Sequence, residues 1–261
     1  MIDEKNYQTY SQPEIVRYYQ QLKQLQPAEE TIIKLLRDKL SKITMLDIGV
    51  GGGRTTKHFY PLVKKYIGID YSSKMIAACQ QRFVDKKSIN FTVCDVRNLS
   101  QFEDNYFDFI LFSFNGIDYI SHPERLQVFQ EIHRVGKPGG YFFFSTHNLQ
   151  AIEKEFHWKT HIKFNPVATY INLVMFAFIR FFNKTLTYEQ IKNKNYAIIR
   201  DESHNFRLQT YYIRPLEQIK QLESKFSNIK VYSWKTGLEI NPKNDIIPPD
   251  DMWLYYLCLI N

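Results

Sequence analysis

The stretch "LDIGVGGGRTT" at residues 46–56 sets Asp47 ahead of Gly49, Gly51, Gly52 and Gly53 and follows them with Arg54. Four of the chain's 10 glycines fall within positions 49–53. Glycine costs backbone entropy and is useful mainly where the chain needs a positive φ or where another group comes close to the backbone. Two further acidic residues follow apolar runs: Asp70 in "YIGID" (66–70) and Asp95 in "VCDVRNL" (93–99). Carboxylates so placed can accept from the hydroxyl or amino groups of a ligand, and Arg54 can pair with a ligand carboxylate. Each also has a plainer role. Asp47 can brace the loop, Arg54 can be a solvated helix residue, Asp70 can cap the helix that opens at Ser72, and Asp95 can turn with Asn98.

The elements that would hold these residues are readable from periodicity. Residues 14–40 read as helix, with Ile32, Ile33, Leu35, Leu36 and Leu40 at helical spacing and a start signal at Pro27, Glu29 and Glu30. Short apolar runs at 43–49, 66–70, 89–95, 107–114 and 141–146 read as strands. Helices are expected at 54–65, 72–83 and 123–135, and "KPGG" (137–140) as a turn. Strand and helix thus alternate with short connections, which argues for a parallel sheet covered by helices on both faces. Ligands of such sheets bind at the carboxyl ends of the strands, where the glycine cluster falls. After residue 150 the alternation breaks, and it resumes with strands at 206–213, 228–234 and 252–260 and a helix at 215–226.

Composition narrows the function classes. With 44% hydrophobic and 23% charged residues the chain is an ordinary globular one. Three well-separated cysteines make neither a disulfide framework nor a zinc knuckle, which suits a reducing compartment. The polar start "MIDEKNYQTYSQPEIV" has no apolar signal core, so a cytoplasmic location is expected. No stretch reaches the length of a membrane span. His157 and His161 are four apart, but one such pair without a carboxylate rarely binds a metal, and no metal is expected.

Three ligand classes compete for the glycine turn. A P-loop needs Lys–Ser/Thr after its last glycine, and none follows. The dinucleotide fingerprint G-x-G-x-x-G/A meets Arg54 or Thr56 at its third position, which weakens a nicotinamide oxidoreductase reading. The third pattern, acidic–x–G–x–G–x–G, is matched by Asp47, Gly49, Gly51 and Gly53. With Asp70, Asp95, "FDFILFSFNGIDYI" (107–120) and "EIHRVGKPGGYFFFS" (131–145), the chain resembles the class I S-adenosylmethionine-dependent methyltransferases. The likeness covers roughly residues 40–147, and 206–261 in outline.

That resemblance implies a Rossmann-like α/β fold, doubly wound, with a mostly parallel seven-stranded sheet, an antiparallel last strand and a helical lid insertion. It implies a helical cap over 1–40, a cofactor-binding core over 41–147, a lid over 148–205 and completion of the sheet over 206–261. S-adenosylmethionine would be held by the turn (Asp47, Gly49, Gly51, Gly53, Arg54), by Asp70 on the ribose hydroxyls, and by Asp95 near the adenine amino group. Tyr71 and Met75 would cover the ring faces, with Val96 and Ser113 alongside. Tyr18 or Tyr19, but not both, would close over the methionine end, because neighbours on a helix point about 100° apart.

Methyl transfer needs a base only if the acceptor must lose a proton early. Asn115, Asp118, His122 and His147 lie after strands four and five, and Asp118 and His147 are the catalytic candidates. "SFNG" (113–116) lacks the Asn/Asp-Pro-Pro-aromatic motif of nucleic-acid amino-methyltransferases, so a small-molecule acceptor is expected and nucleic acid is not. Residues 150–200 carry eight Lys/Arg against three Glu around the apolar run 166–182. A lid is the expected role, with a weak membrane-surface contact as the alternative. A cofactor-binding protein without turnover also fits.

Overall fold

The computed structural model describes residues 4–86, 88–243, 247, 248 and 250–261. Three helices lead the chain: α1 (Glu4–Tyr10), α2 (Pro13–Gln21) and α3 (Pro27–Leu40). The single helix expected over 14–40 is broken, because Leu22 turns extended and Pro27 opens a new first turn. Gln26 and Glu29 close that turn as a reciprocal capping box. α3 then lays Ala28, Ile32, Leu36 and Leu40 onto the sheet.

Ten strands form one sheet among the described residues: β1 (Thr44–Ile48), β2 (Lys65–Asp70), β3 (Ile89–Val93), β4 (Phe107–Phe112), β5 (Gly136–Asn148), β6 (Tyr196–Ile199), β7 (Thr210–Ile213), β8 (Phe226–Ser233), β9 (Glu239–Ile240) and β10 (Trp253–Ile260). The main path runs β3-β2-β1-β4-β5-β10-β8 and ends on the short β9. β3 through β5 are mutually parallel, and β10 lies antiparallel between β5 and β8. The expected seven strands are therefore present, with β9 added at one edge. A β6–β7 hairpin is attached where β7 pairs with the end of β5. The "KPGG" turn is drawn into β5 as an irregularity, with Gly139 at φ 78 and a register shift against β4.

The remaining helices are α4 (Thr56–Phe59), α5 (Ser73–Arg82), α6 (His122–Val135), α7 (Leu149–Glu153), α8 (Pro166–Phe182), α9 (Tyr188–Lys192) and α10 (Pro215–Leu222). Side chains alternate across the sheet with the two-residue period of a strand. Phe142 and Phe144 of β5 enter one core with Phe129 and Tyr256, while Phe143 enters the other with Met45, Phe109 and Tyr255. Strand order reverses beside β1, so the loops after β1 and β4 diverge and leave a crevice at their carboxyl ends.

Within the 148–205 segment, the apolar helix does not cover the crevice. α8 packs its inner side, through Met175 and Ile179, into a satellite core with α7, α9, β6 and β7. No residue of α8 lines the crevice. The segment reaches the crevice through Tyr196 and Ile198 of β6 instead.

Candidate active site

The crevice is a cavity of about 420 Å³, within the size range of small-molecule sites. Its floor is the turn after β1. Gly49, Gly51 and Gly53 sit at φ 66, 54 and 78, which explains why side-chain-bearing residues are avoided there. Gly49 and Gly51 line the cavity. Gly52 faces the other way, where a Cβ would lie 2.5 Å from the backbone of Tyr19 and Gln20 in α2. Gly53 backs onto Phe83 and does not line the cavity.

Asp70 ends β2 at the cavity wall. Its Oδ2 accepts from the Gly51 N–H at 3.0 Å and its Oδ1 from the Ser72 N–H at 2.8 Å. Burial pushes its carboxyl up to about 6, against the pull of those two bonds. Ser72, rather than Asp70, provides the side-chain cap of α5, accepting from the Met75 N–H. Tyr71 and Met75 continue this wall. Asp95 and Val96 border the cavity in the loop after β3. The Asp95 carboxylate is bonded to the Arg97 guanidinium at 2.6 and 3.0 Å, which holds it below its usual value although burial works to raise it.

The roof comes from the first two helices. Asn6, Tyr10 and Tyr19 line the cavity, and the Asn6 amide donates to the Tyr119 carbonyl at 3.0 Å. Tyr10 packs its ring against Tyr19, Tyr71 and Tyr119 at centroid distances of 5.5–6.3 Å. Of the adjacent tyrosines only Tyr19 faces inward, while Tyr18 is 53% exposed. Phe114 closes the side, edge-on to Tyr19 at 6.4 Å. Phe114 and Asn115 both take positive φ at the end of β4, a conformation that non-glycine residues seldom adopt.

Two expected ligand contacts are committed elsewhere. Asp47 is buried beneath the turn, where it accepts from Thr55 Oγ1 at 2.5 Å and from the Tyr66 hydroxyl. Burial pushes its carboxyl up to about 6. Arg54 turns away from the cavity and forms a two-pronged ion pair with Glu29 at 2.5 and 2.7 Å. Glu29 is fully buried and also gathers the Ser113 and Tyr255 hydroxyls. Ser113 lines the cavity and so links it to this buried cluster.

The catalytic candidates are likewise engaged. Asp118 lines the cavity, but four donors converge on its carboxylate: Arg125 Nη1 at 2.8 Å, Thr146 Oγ1 at 2.5 Å, and the backbone N–H and Nδ1 of His147, both at 2.7 Å. Arg125 is wholly buried and bonds Gln218 and Thr146 as well. His147 lies behind the cavity wall, its Nε2 3.4 Å from the Asn115 amide. This array fastens β5, α6 and α10 together and leaves Asp118 no lone pair suited to taking a proton. His122, by contrast, lines the cavity, stacked on Tyr196 at 4.2 Å with Nδ1 2.8 Å from the Tyr211 hydroxyl. Burial, then Arg125, lowers its pKa, which favours the neutral imidazole. Among the described residues, no group of three His, Cys, Asp or Glu side chains is arranged to hold a metal ion.

Residues 46–144, which span the turn, Asp70, Asp95 and β4, match the Methyltransferase domain family. This core matches a methyltransferase domain and has the fold of the class I, S-adenosylmethionine-dependent type. The methyltransferase domain supersedes the nicotinamide oxidoreductase reading, in keeping with Arg54 where a dinucleotide turn needs a small residue. The chain is 33% identical over 106 residues to malonyl-[acyl-carrier protein] O-methyltransferase of Marinomonas sp. (strain MWYL1), covering 39% of this chain and 37% of that protein. It is 25% identical over 132 residues to ubiquinone biosynthesis O-methyltransferase of Nitrosomonas europaea, covering 50% of this chain and 54% of that one. The chain thus spans only about a third to a half of the length of these curated relatives. The fold superposes on N-methyltransferase NodS from Bradyrhizobium japonicum WM9 with a TM-score of 0.58 at 12% identity, over 98% of each chain.

Several residues around the methyltransferase domain's cavity escaped the sequence reading. Asn6, Tyr10 and Tyr196 come from segments without a motif, and Tyr119 lies in the quoted stretch 107–120 but was not singled out. The recurrence of tyrosine in the otherwise polar "EKNYQTY" of α1 is the one local signal. Glu29 was visible only as a helix-start acid.

Proposed function

We propose that the protein transfers the methyl group of S-adenosylmethionine to a small-molecule acceptor with an oxygen or nitrogen nucleophile. The observation that carries this reading is Asp70. It is a cavity-facing carboxylate at the end of β2, fixed by Gly51 and Ser72 so that its orientation is set before any ligand arrives. S-adenosylmethionine supplies an electrophilic methyl group on a sulfonium, with a ribose diol and an adenine as handles. Asp70 would accept from the diol, Tyr71 and Met75 would flank the adenine, and Asp95 and Val96 would border its amino edge. Gly49 and Gly51 would let the methionine part lie against backbone. Arg54 has no part in that contact, since Glu29 holds it. The NodS structure carries S-adenosyl-L-homocysteine, the demethylated form, which supports the same ligand class here.

The protein's contribution would be positioning and exclusion of water. Tyr10, Tyr19, Tyr71, Phe114 and Tyr119 surround the space beneath α1 and α2, and burial raises the pKa of Tyr19 to about 12, so its hydroxyl stays neutral. For a hydroxyl acceptor, His122 is the cavity imidazole suited to take the proton, in place of Asp118 and His147. The named functions of the two curated relatives support a small-molecule acceptor of this kind. Incubation with S-adenosylmethionine and a panel of phenolic, carboxylic and amine acceptors tests the reading. Release of S-adenosylhomocysteine with at least one class is expected, and none with any class contradicts it.

A further inference from the structure

A surface helix of a globular protein normally turns its apolar stripe inward and a polar face outward. α8 does not. Its inner side rests on the body through Met175, Phe176 and Ile179. Its outer side presents Val167, Tyr170, Ile171, Val174, Phe178 and Phe181, spaced at three and four residues and all exposed, Tyr170 at 70% and Val167 at 66%. Just before the helix, Trp158, Ile162 and Phe164 are exposed as well, Phe164 completely. The apolar strip thus continues past the N-terminus of α8.

The charge around this strip has one sign. From residue 156 to 188 there is no Asp or Glu, while Lys159, Lys163 and Lys184 stand at the two ends of the apolar strip and Arg180 donates to the Leu186 carbonyl. Lys159 and Lys184 lean over the rings of Trp158 and Phe181 at 5.8 and 4.8 Å, an arrangement that puts apolar stem and cation at the same surface.

We propose that α8 and the segment 158–164 before it form an interfacial docking face for an anionic lipid bilayer. Apolar rings enter the boundary region while the flanking lysines meet lipid phosphates. No helix among the described residues is long and apolar enough to cross a membrane, so α8 lies in the plane of the surface. A second copy of the chain is a poorer cover. An isologous pairing would bring the three lysines of one copy against the same three of the other with no acidic partner in the face. The proposal is independent of the methyl-transfer reading, because it uses no residue of the cavity.

Flotation of the full chain with vesicles tests it. Binding to phosphatidylcholine vesicles containing phosphatidylglycerol is expected, weakening with added salt, with binding to pure phosphatidylcholine at least about tenfold lower. The double variant Tyr170→Asp/Val174→Asp, with unchanged circular dichroism and melting temperature, should lose binding by about tenfold or more. Lys163→Glu/Lys184→Glu gives a second, fold-neutral check and should lose the preference for anionic vesicles. Absence of binding by the wild type overturns the proposal, as does equal binding by the folded apolar variant. A dimer in sedimentation equilibrium that Tyr170→Asp/Val174→Asp dissolves, without vesicle binding, overturns it in favour of a second copy.

Discussion

The carboxylate of Asp70 and the backbone N–H of Gly51 meet at 3.0 Å, so the end of β2 holds the turn that follows β1. The same carboxyl is pushed up to about 6 by burial. The sign of its linkage to folding follows. A carboxyl raised from 3.8 stabilises the fold fully below about pH 3.8, and that contribution is lost as pH rises through about 6. Binding of a ribose diol has the opposite sense, since it needs the ionised form to accept two hydroxyl bonds. S-adenosylmethionine affinity measured between pH 5 and 7 should rise about tenfold and then level off. Asp70→Asn should flatten the profile. A wild-type affinity independent of pH across this range would separate Asp70 from the ligand.

Glu29 and Arg54 make a buried ion pair whose partners include Ser113 at the cavity wall. Removing one member leaves an uncompensated charge, so Glu29→Gln and Arg54→Met should each lower the unfolding free energy by about 3–5 kcal/mol. The double variant should cost clearly less than the two singles combined. Urea denaturation of the four proteins gives the coupling directly, and strict additivity would mean that the pair is not an energetic unit.

Tyr18 and Tyr19 are chemically identical neighbours in opposite settings. Tyr19→Ala opens the roof beside Phe114 and Gly51 and should lower kcat/KM about tenfold or more. Tyr18→Ala should stay within about twofold, since exposed side chains away from special features contribute little. Equal effects of the two substitutions would show that the roof is not part of the working site.

The core of the fold was legible because it is written locally. The apolar runs that became β1, β2 and β4, the glycines forced to positive φ, and Asp70 at a strand end all carry their signal within a few residues. What was missed depends on distant pairings. Nothing near Arg54 announces that Glu29, 25 positions earlier, will claim its guanidinium. Nothing near Asp118 or His147 announces Arg125 and Gln218, which turn two candidate catalysts into a structural knot. The break at Leu22 was overridden by the helical periodicity on either side of it. The apolar stripe of α8 in its charged surround suits a lid and a membrane-surface helix equally well in the sequence. Its hydrophobicity was plain in the sequence, whereas the side it faces was not.

The central claim is that the cavity between the glycine turn and the α1–α2 roof takes S-adenosylmethionine through Asp70. Calorimetric titration of S-adenosylmethionine into the wild type and Asp70→Ala, with folding checked by circular dichroism, tests it most directly. The wild type should bind, and Asp70→Ala should bind at least about 100-fold more weakly, because two hydrogen bonds to a charged acceptor are lost at about 1.5–3 kcal/mol each. A wild type that does not bind, or a folded Asp70→Ala that binds with unchanged affinity, would contradict it.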